Sequence, residues 1–183
     1  MIALKSERLM LREITANDLD FLHQLHSLPE VDQYNTLGIP ENKLISEKLL
    51  NEWLLAFTES PRKRYVFMIE NSNHLPIGIL GLNLGKPNFA NGEIWYKLNP
   101  DFWAKGYATE AVKTILDYGF NQLQLHRIEA GCAVGNIGSI RVLEKAGFTK
   151  EGRTRKLLPI RGEWHDNFGF AILEEDWQKT NAH

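Results

Sequence analysis

The chain has 183 residues, 43% from the hydrophobic set and 24% charged, with a formal net charge of −2. At about 150 residues per domain this predicts a single domain over residues 1–183, and a near-neutral balance without a block of like charge speaks against nucleic-acid and membrane-surface binding. The lone Cys132 excludes an internal disulfide framework and a cysteine-rich zinc site, and no apolar run approaches the roughly 20 residues that span a bilayer.

In chain order, the stretch from Met1 to Arg8 lacks the apolar core of a signal peptide and already reads as strand, so a cytoplasmic location is expected. Residues 9–12 read as the first strand. Thr15-Ala16-Asn17-Asp18 has capping-box spacing with Asp for the usual Glu, and a helix should follow with Leu19, Leu22 and Leu25 on one face. A second helix is predicted over residues 41–57, carrying Leu44, Ile45, Leu49, Trp53 and Phe57. Residues 28–40 between them are punctuated by Pro and Gly and read as a mobile loop. Strands are predicted over 64–70, 76–84 and 93–98, the first apolar enough to be central. Residues 106–123 give the clearest helix: Ala108, Ala111, Val112, Ile115, Gly119 and Leu123 share one face, while Glu110, Lys113, Thr114, Asp117 and Asn121 share the other. Residues 126–134 alternate, with Ile128, Ala130, Cys132 and Val134 on one side. A short helix over 137–146 ends at Gly147, suited to a left-handed cap. Residues 148–160 and 163–173 read as an antiparallel hairpin turning at Arg161-Gly162. The order β-αα-βββ-α-β-α-ββ is that of a mixed α/β (α+β) protein with helices packed on a sheet.

Two stretches bear on chemistry. In the first, Leu98 ends a strand and Trp103-Ala104-Lys105-Gly106-Tyr107-Ala108-Thr109-Glu110-Ala111 leads into the long helix. A helix start offers N–H groups without intrahelical acceptors and the positive end of the macrodipole, and small residues let a phosphate approach. The stretch reads either as a phosphate-binding loop or as a plain strand-to-helix turn. It is not a nucleotide P-loop, because no Gly-Lys-Ser/Thr stands at the helix start. In the second stretch, Asn136 and Ser139 point the same way at the start of the short helix. They read either as a cap with a first-turn hydroxyl or as ligands.

Together these stretches resemble the GNAT superfamily of N-acetyltransferases, and within it the RimJ/RimL branch of ribosomal-protein N-alpha-acetyltransferases. The resemblance runs over nearly the whole chain. It rests on Glu7-Arg8-Leu9-Met10-Leu11-Arg12, on the run from Trp103 to Ala111, and on Asn136, Ser139 and Leu143-Glu144-Lys145-Ala146-Gly147-Phe148. It implies the GNAT fold, a mixed central sheet of about seven strands splayed between the fourth and fifth and flanked by about four helices. It also implies acetyl-CoA as cosubstrate and no metal. The pantetheine arm would hydrogen-bond the strand end around Leu98, and the amides of Lys105, Gly106, Tyr107, Ala108 and Thr109 would cradle the pyrophosphate. Asn136 would contact the pantetheine or the acetyl-bearing end, and Ser139 would place a hydroxyl near the thioester sulfur. Trp103 stands where the superfamily usually has Gln or Arg, which removes a side-chain contact but leaves the amides. Glu93 shares a strand face with Trp95 and Lys97 and matches the position where many members place a general base; the same carboxylate also reads as a solvated strand start.

The implied reaction is direct attack of an amine on the thioester in a ternary complex. Making an α-amino group neutral at pH 7 costs about 1 kcal/mol, whereas a lysine amine costs about 5 kcal/mol. A weak or water-mediated base therefore suits a protein N-terminus, such as that of a ribosomal protein, and this is the expected acceptor. A small-molecule amine such as a polyamine is the alternative, and a non-catalytic acyl-CoA-binding module is the reading from another class. A homodimer is compatible with the sequence. The remaining candidates read as scaffold: His23 and His26 as an exposed helix face without a third metal ligand, His165 and Asp166 as a polar strand edge, and Cys132 as a small buried hydrophobe. Arg62-Lys63-Arg64 reads as a solvated run, and Trp53, Phe57, Trp95, Trp103 and Trp164 as core.

Overall fold

Alternating side chains set the sheet. In a computed structural model, which describes residues 1–181, eight strands form one sheet in the order β1-β2-β3-β4-β5-β6-β8-β7. They are β1 (Ala3–Lys5), β2 (Leu9–Glu13), β3 (Arg64–Asn71), β4 (Pro76–Leu84), β5 (Asn91–Leu98), β6 (Arg127–Ala133), β7 (Thr149–Ile160) and β8 (Glu163–Leu173). Every neighbouring pair is antiparallel except β5 and β6. The last two residues of the expected 1–183 domain lie outside the described residues.

Helices cover both faces. On one lie α1 (Leu19–His26), α2 (Pro29–Asp32) and α3 (Lys43–Ala56); on the other lie α4 (Tyr107–Asp117), α5 (Ile137–Lys145) and α6 (Glu174–Asn181). Strand β3 is apolar from Tyr65 to Ile69 because it serves both layers. Tyr65, Phe67 and Ile69 enter a cluster with Val112, Ile115, Leu143 and Trp177, while Val66 and Met68 enter a second with Leu22, Leu25, Leu50 and Trp53. Each such side chain contributes about 1.5–3 kcal/mol when fully buried, so the two clusters hold both helix layers on the sheet. No helix among the described residues is long and apolar enough to cross a membrane.

The departures from expectation are local. The sheet has eight strands rather than about seven, because the chain folds back at Ser6, whose N–H bonds the Leu9 carbonyl at 3.0 Å, and β1 pairs with β2. The splay accordingly falls between the fifth and sixth strands, although the two segments are the expected ones. There are six helices rather than about four. The segment expected as a loop contains α2, with Pro29 in its first turn, and α6 follows β8 directly. The Thr15–Asp18 spacing does its work: Asp18 Oδ2 accepts the Thr15 N–H at 2.7 Å and its hydroxyl at 3.0 Å. Helix α3 is capped by Asn42, but it buries Ser46, Leu50, Trp53 and Ala56, leaving Leu44 64% and Ile45 45% exposed. The long helix gives way after Asp117 to one π-helical turn, Tyr118–Gln122. The hairpin turns where expected, Arg161 and Gly162 both taking the positive φ that a tight two-residue connection demands.

Candidate active site

The parallel pairing of β5 with β6 runs only from Asn91 opposite Arg127 to Ile94 opposite Ala130. Beyond it, β5 stays with β4 as far as Leu98, and β6 stays with β8 as far as Ala133. Each strand follows its outer neighbour, so the two part, and the backbone edges of residues 95–98 and 131–133 face a gap without ladder partners. An extended chain bearing amides fits such a gap as an added strand does. The Leu98 carbonyl at its mouth accepts the Trp103 indole N–H at 2.8 Å. A second lone pair remains on that oxygen, and the residue that departs from the superfamily's Gln or Arg ties the strand end to the loop.

The loop then enters α4. Ala104 and Gly106 have φ of 57° and 82°, and Gly106 is the helix cap, a position where any side chain adds strain. Among the described residues no acceptor meets the N–H groups of Gly106, Tyr107, Ala108 and Thr109. Four free donors at the positive end of an amphipathic helix fit a diphosphate. Lys105 bends away: its ammonium donates to the Asp101 carbonyl at 2.7 Å. A groove of about 570 Å³ runs along α4, lined by Lys5, Lys113 and Lys145 and equally by Glu7, Glu110 and Asp117, with Gly106 and Thr109 beside them.

On the α4–α5 face of the gap, Tyr96 from β5 meets Ser139 from α5, their hydroxyls 2.8 Å apart. Burial pushes the Tyr96 phenol far above its ordinary pKa, so it keeps its proton and remains a donor. Asn136 is the cap of α5: its Oδ1 accepts the Ser139 N–H at 3.0 Å. Asn136 is thus a cap, as one of the two readings has it, and its amide N–H groups remain free of partners among the described residues. Cys132 is buried beside Ser139, and burial raises its thiol to about 11, which suits a packing residue and not a nucleophile.

On the opposite face, β5 presents Glu93, Trp95 and Lys97, as alternation predicts. Glu93 lies beside Glu129 in the ladder; partial burial, then the Glu129 charge, push its carboxyl above the usual range. Trp95 lies on Gly81, where an added Cβ would come within 2.1 Å of the indole, and its ring stands 5.3 Å from that of Trp53. Lys97 Nζ is 3.3 Å from His26 Nε2. Burial lowers Lys97 to about 8, against the pull of Asp32, and burial with the Lys97 charge lowers His26 to about 3. His26 is thus neutral and accepts from the amine. Asp32 takes Arg161 Nε at 3.0 Å from the β7–β8 turn, while its Oδ1 is buried without a partner.

Glu93 and Ser139 therefore come to opposite faces of the sheet, Glu93 in the closed part of the β5–β6 ladder just before the gap opens. The sequence reading passed over Tyr96, although alternation sets it opposite Trp95. It also missed the Lys97–His26 contact, whose members are far apart in the chain. Three other expectations change. His23 and His26 are not an exposed face: His26 is buried, and His23 Nδ1 meets Ser46 Oγ at 2.9 Å. Arg62 is no solvated charge, because it pairs with Glu13 and stacks on Phe57 and Tyr65. Trp103 and Trp164 are exposed rather than core. Asp166 is taken by Arg153 and by the Lys156 N–H. No group of three or more metal-ligating side chains occurs among the described residues.

A family model described as acetyltransferase (GNAT) domain matches residues 8–149. The uncharacterized N-acetyltransferase p20 of Bacillus licheniformis is 33% identical over 97% of this chain and 99% of its own length. Shorter stretches match two Bacillus subtilis proteins. The uncharacterized N-acetyltransferase YnaD is 48% identical over 46% of this chain and 50% of its own length. The putative ribosomal N-acetyltransferase YdaF is 35% identical over 55% of each chain. A crystal structure of spermidine N-acetyltransferase from Vibrio cholerae with CoA and spermine superposes with a TM-score of 0.82 at 26% identity, covering 92% of this chain and 97% of that one.

Proposed function

Because the chain belongs to the GNAT family and is an acetyl-CoA-dependent N-acetyltransferase, we propose that it acetylates the α-amino group of a protein N-terminus, such as that of a ribosomal protein. The observation that carries the acetyl-CoA chemistry of this reading is the early end of the β5–β6 ladder with four free α4 amides at its mouth. In it, the amides of Lys105, Gly106, Tyr107, Ala108 and Thr109 hold the diphosphate, and the strand end at Leu98 aligns the pantetheine arm. Lys105 lends the loop a nearby positive charge, and Asn136 donates its amide N–H groups to the pantetheine or acetyl-bearing end. The Glu93 carboxylate, with or without an intervening water, receives the proton of the incoming ammonium. The amine nitrogen bonds to the acetyl carbon and the carbon–sulfur bond breaks; the nitrogen's second proton passes to the departing sulfur, to which the Ser139–Tyr96 hydroxyls donate hydrogen bonds. No acyl-enzyme forms.

Charge supports this acceptor. Glu93 and Glu129 draw an ammonium to this face, but Arg127 holds Glu129 at 2.8 Å and Lys97 is a cation on the same side, while Arg161 is balanced by Asp32. A single α-ammonium suits that balance better than a polycation. An α-amine also needs about 1 kcal/mol to become neutral at pH 7, within reach of a carboxylate of modest basicity. The polyamine reading is favoured by the carboxylate pair alone and by the likeness to the spermidine enzyme. Thiol release from acetyl-CoA, measured with a panel of short peptides and with spermidine, separates them. Peptides with free N-termini should react and N-blocked peptides containing lysine should not. Turnover with spermidine alone would select the polyamine reading, and CoA binding without release from any amine would leave only a binding module.

A further inference from the structure

The Glu7–Arg12 run that opens the resemblance includes a residue with no part in the mechanism above. Arg8 lies at the turn between β1 and β2, next to the start of α4. Its Nε and Nη2 reach Glu110 Oε2 at 2.7 and 2.6 Å, and its backbone N–H reaches Glu110 Oε1 at 2.7 Å. Ser6 adds its hydroxyl to Oε1 at 2.8 Å. Nη1 donates to the Lys105 carbonyl at 3.1 Å, the guanidinium carbon stands 4.7 Å from the centre of the Tyr107 ring, and a Cβ on Gly106 would come within 3.3 Å of Nη2.

These contacts answer a difficulty in the diphosphate site. Glu110 lies in the first turn of α4, where a bare carboxylate would repel the anion that the free amides are to hold. Although burial acts the other way, the hydrogen bonds of Arg8 and Ser6 hold its carboxyl below the ordinary range, so it is ionised and needs a counter-charge. Arg8 supplies that charge as a two-pronged fork. The same guanidinium fixes a peptide plane. In a trans peptide the C=O and the following N–H point in opposite directions. With the Lys105 oxygen turned toward Arg8, the Gly106 N–H is turned away from Arg8, and no acceptor meets it among the described residues.

We propose that Arg8 is a positioning residue for acetyl-CoA: it cancels the Glu110 charge and orients the Lys105–Gly106 peptide so that its N–H meets the diphosphate. This rests on the diphosphate reading of the loop. The test is calorimetric affinity for CoA, with KM for acetyl-CoA and kcat measured on the same proteins. Arg8→Met should weaken CoA by roughly tenfold or more and raise the acetyl-CoA KM rather than lower kcat. Arg8→Lys should restore only part, since a point charge cannot hold Glu110 and the Lys105 carbonyl together. Adding Glu110→Gln to Arg8→Met should recover part of the lost affinity, because the uncovered carboxylate is gone. A purely structural role predicts the opposite, a double variant no better than the single one, and that result overturns the proposal. Gly106→Glu separates the two levels. If it abolishes CoA binding while Arg8→Met binds like the parent, the brace is wrong and the loop is right. If both bind like the parent, the loop reading fails with it.

Discussion

Glu93 and Tyr96 stand three residues apart on one strand and point to opposite faces of the sheet. On the Glu93 side, the carboxyl is raised by partial burial and by Glu129, which makes it a better base without making it strong. Replacing it by Gln should slow turnover at pH 7 by roughly tenfold, and by less at pH 9, where an α-amine of pKa about 7.7–8.0 needs no base. The measurement is kcat/KM for a peptide across that range. Profiles of identical shape would remove Glu93 from proton transfer. On the Tyr96 side, two hydroxyls 2.8 Å apart form one unit. Tyr96→Phe and Ser139→Ala should each cost roughly a few-fold in kcat, because a thiolate of pKa about 8.5 leaves readily, and the double variant should cost little more than either. Losses that multiply would show that the hydroxyls act separately.

At the scale of elements, legibility tracked how far each signal reaches along the chain. Helix α4 was readable because its apolar residues keep one period and bury as one stripe, with Ala111, Val112 and Ile115 at zero exposure. The hairpin was readable because Arg161-Gly162 is a local demand for positive φ. Strand β1 and helix α2 are too short to carry a period, and both exist because neighbours pair with or pack on them. Helix α3 carries more apolar positions than one face can bury, so the sequence does not say which stripe faces inward. The structure chooses Leu50 and Trp53 and leaves Leu44 outside. Leu50→Ala should therefore cost about 2–5 kcal/mol of unfolding free energy, whereas Leu44→Ala should stay within about 0.5 kcal/mol. Urea unfolding of both decides it; equal losses would mean that α3 packs on a different face. Because α3 and α4 sit in separate clusters, CoA affinity of the folded Leu50→Ala protein should be unchanged.

At the scale of the whole molecule, the gap itself was beyond local reading. Nothing in residues 91–98 or 127–133 states that these strands are parallel neighbours; the family resemblance supplied that, and the register shows where the pairing stops. The same holds for the cluster that gathers distant parts of the chain on the other face. His26 comes from α1, Asp32 from α2, Lys97 from β5 and Arg161 from the β7–β8 turn. Its members respond to the charges facing them from all these elements, which makes stability depend on pH in a definite sense. Lys97 titrates near 8 in the fold against 10.5 for a free amine, and burial is the main cause. Between those values the unfolded chain holds the proton and the folded chain does not, so stability rises with pH through that window. His26, brought down to about 3 from 6.5, acts alike at lower pH: the fold loses stability as pH falls below 6.5. Lys97→Met deletes the first effect and leaves the larger, burial-driven part of the second. Urea unfolding at pH 7.5 and pH 10 should show the parent protein gaining on the Met variant between the two. Parallel behaviour would mean that Lys97 keeps its proton as easily in the fold as in water, and that the His26 contact is made by an ordinary ammonium.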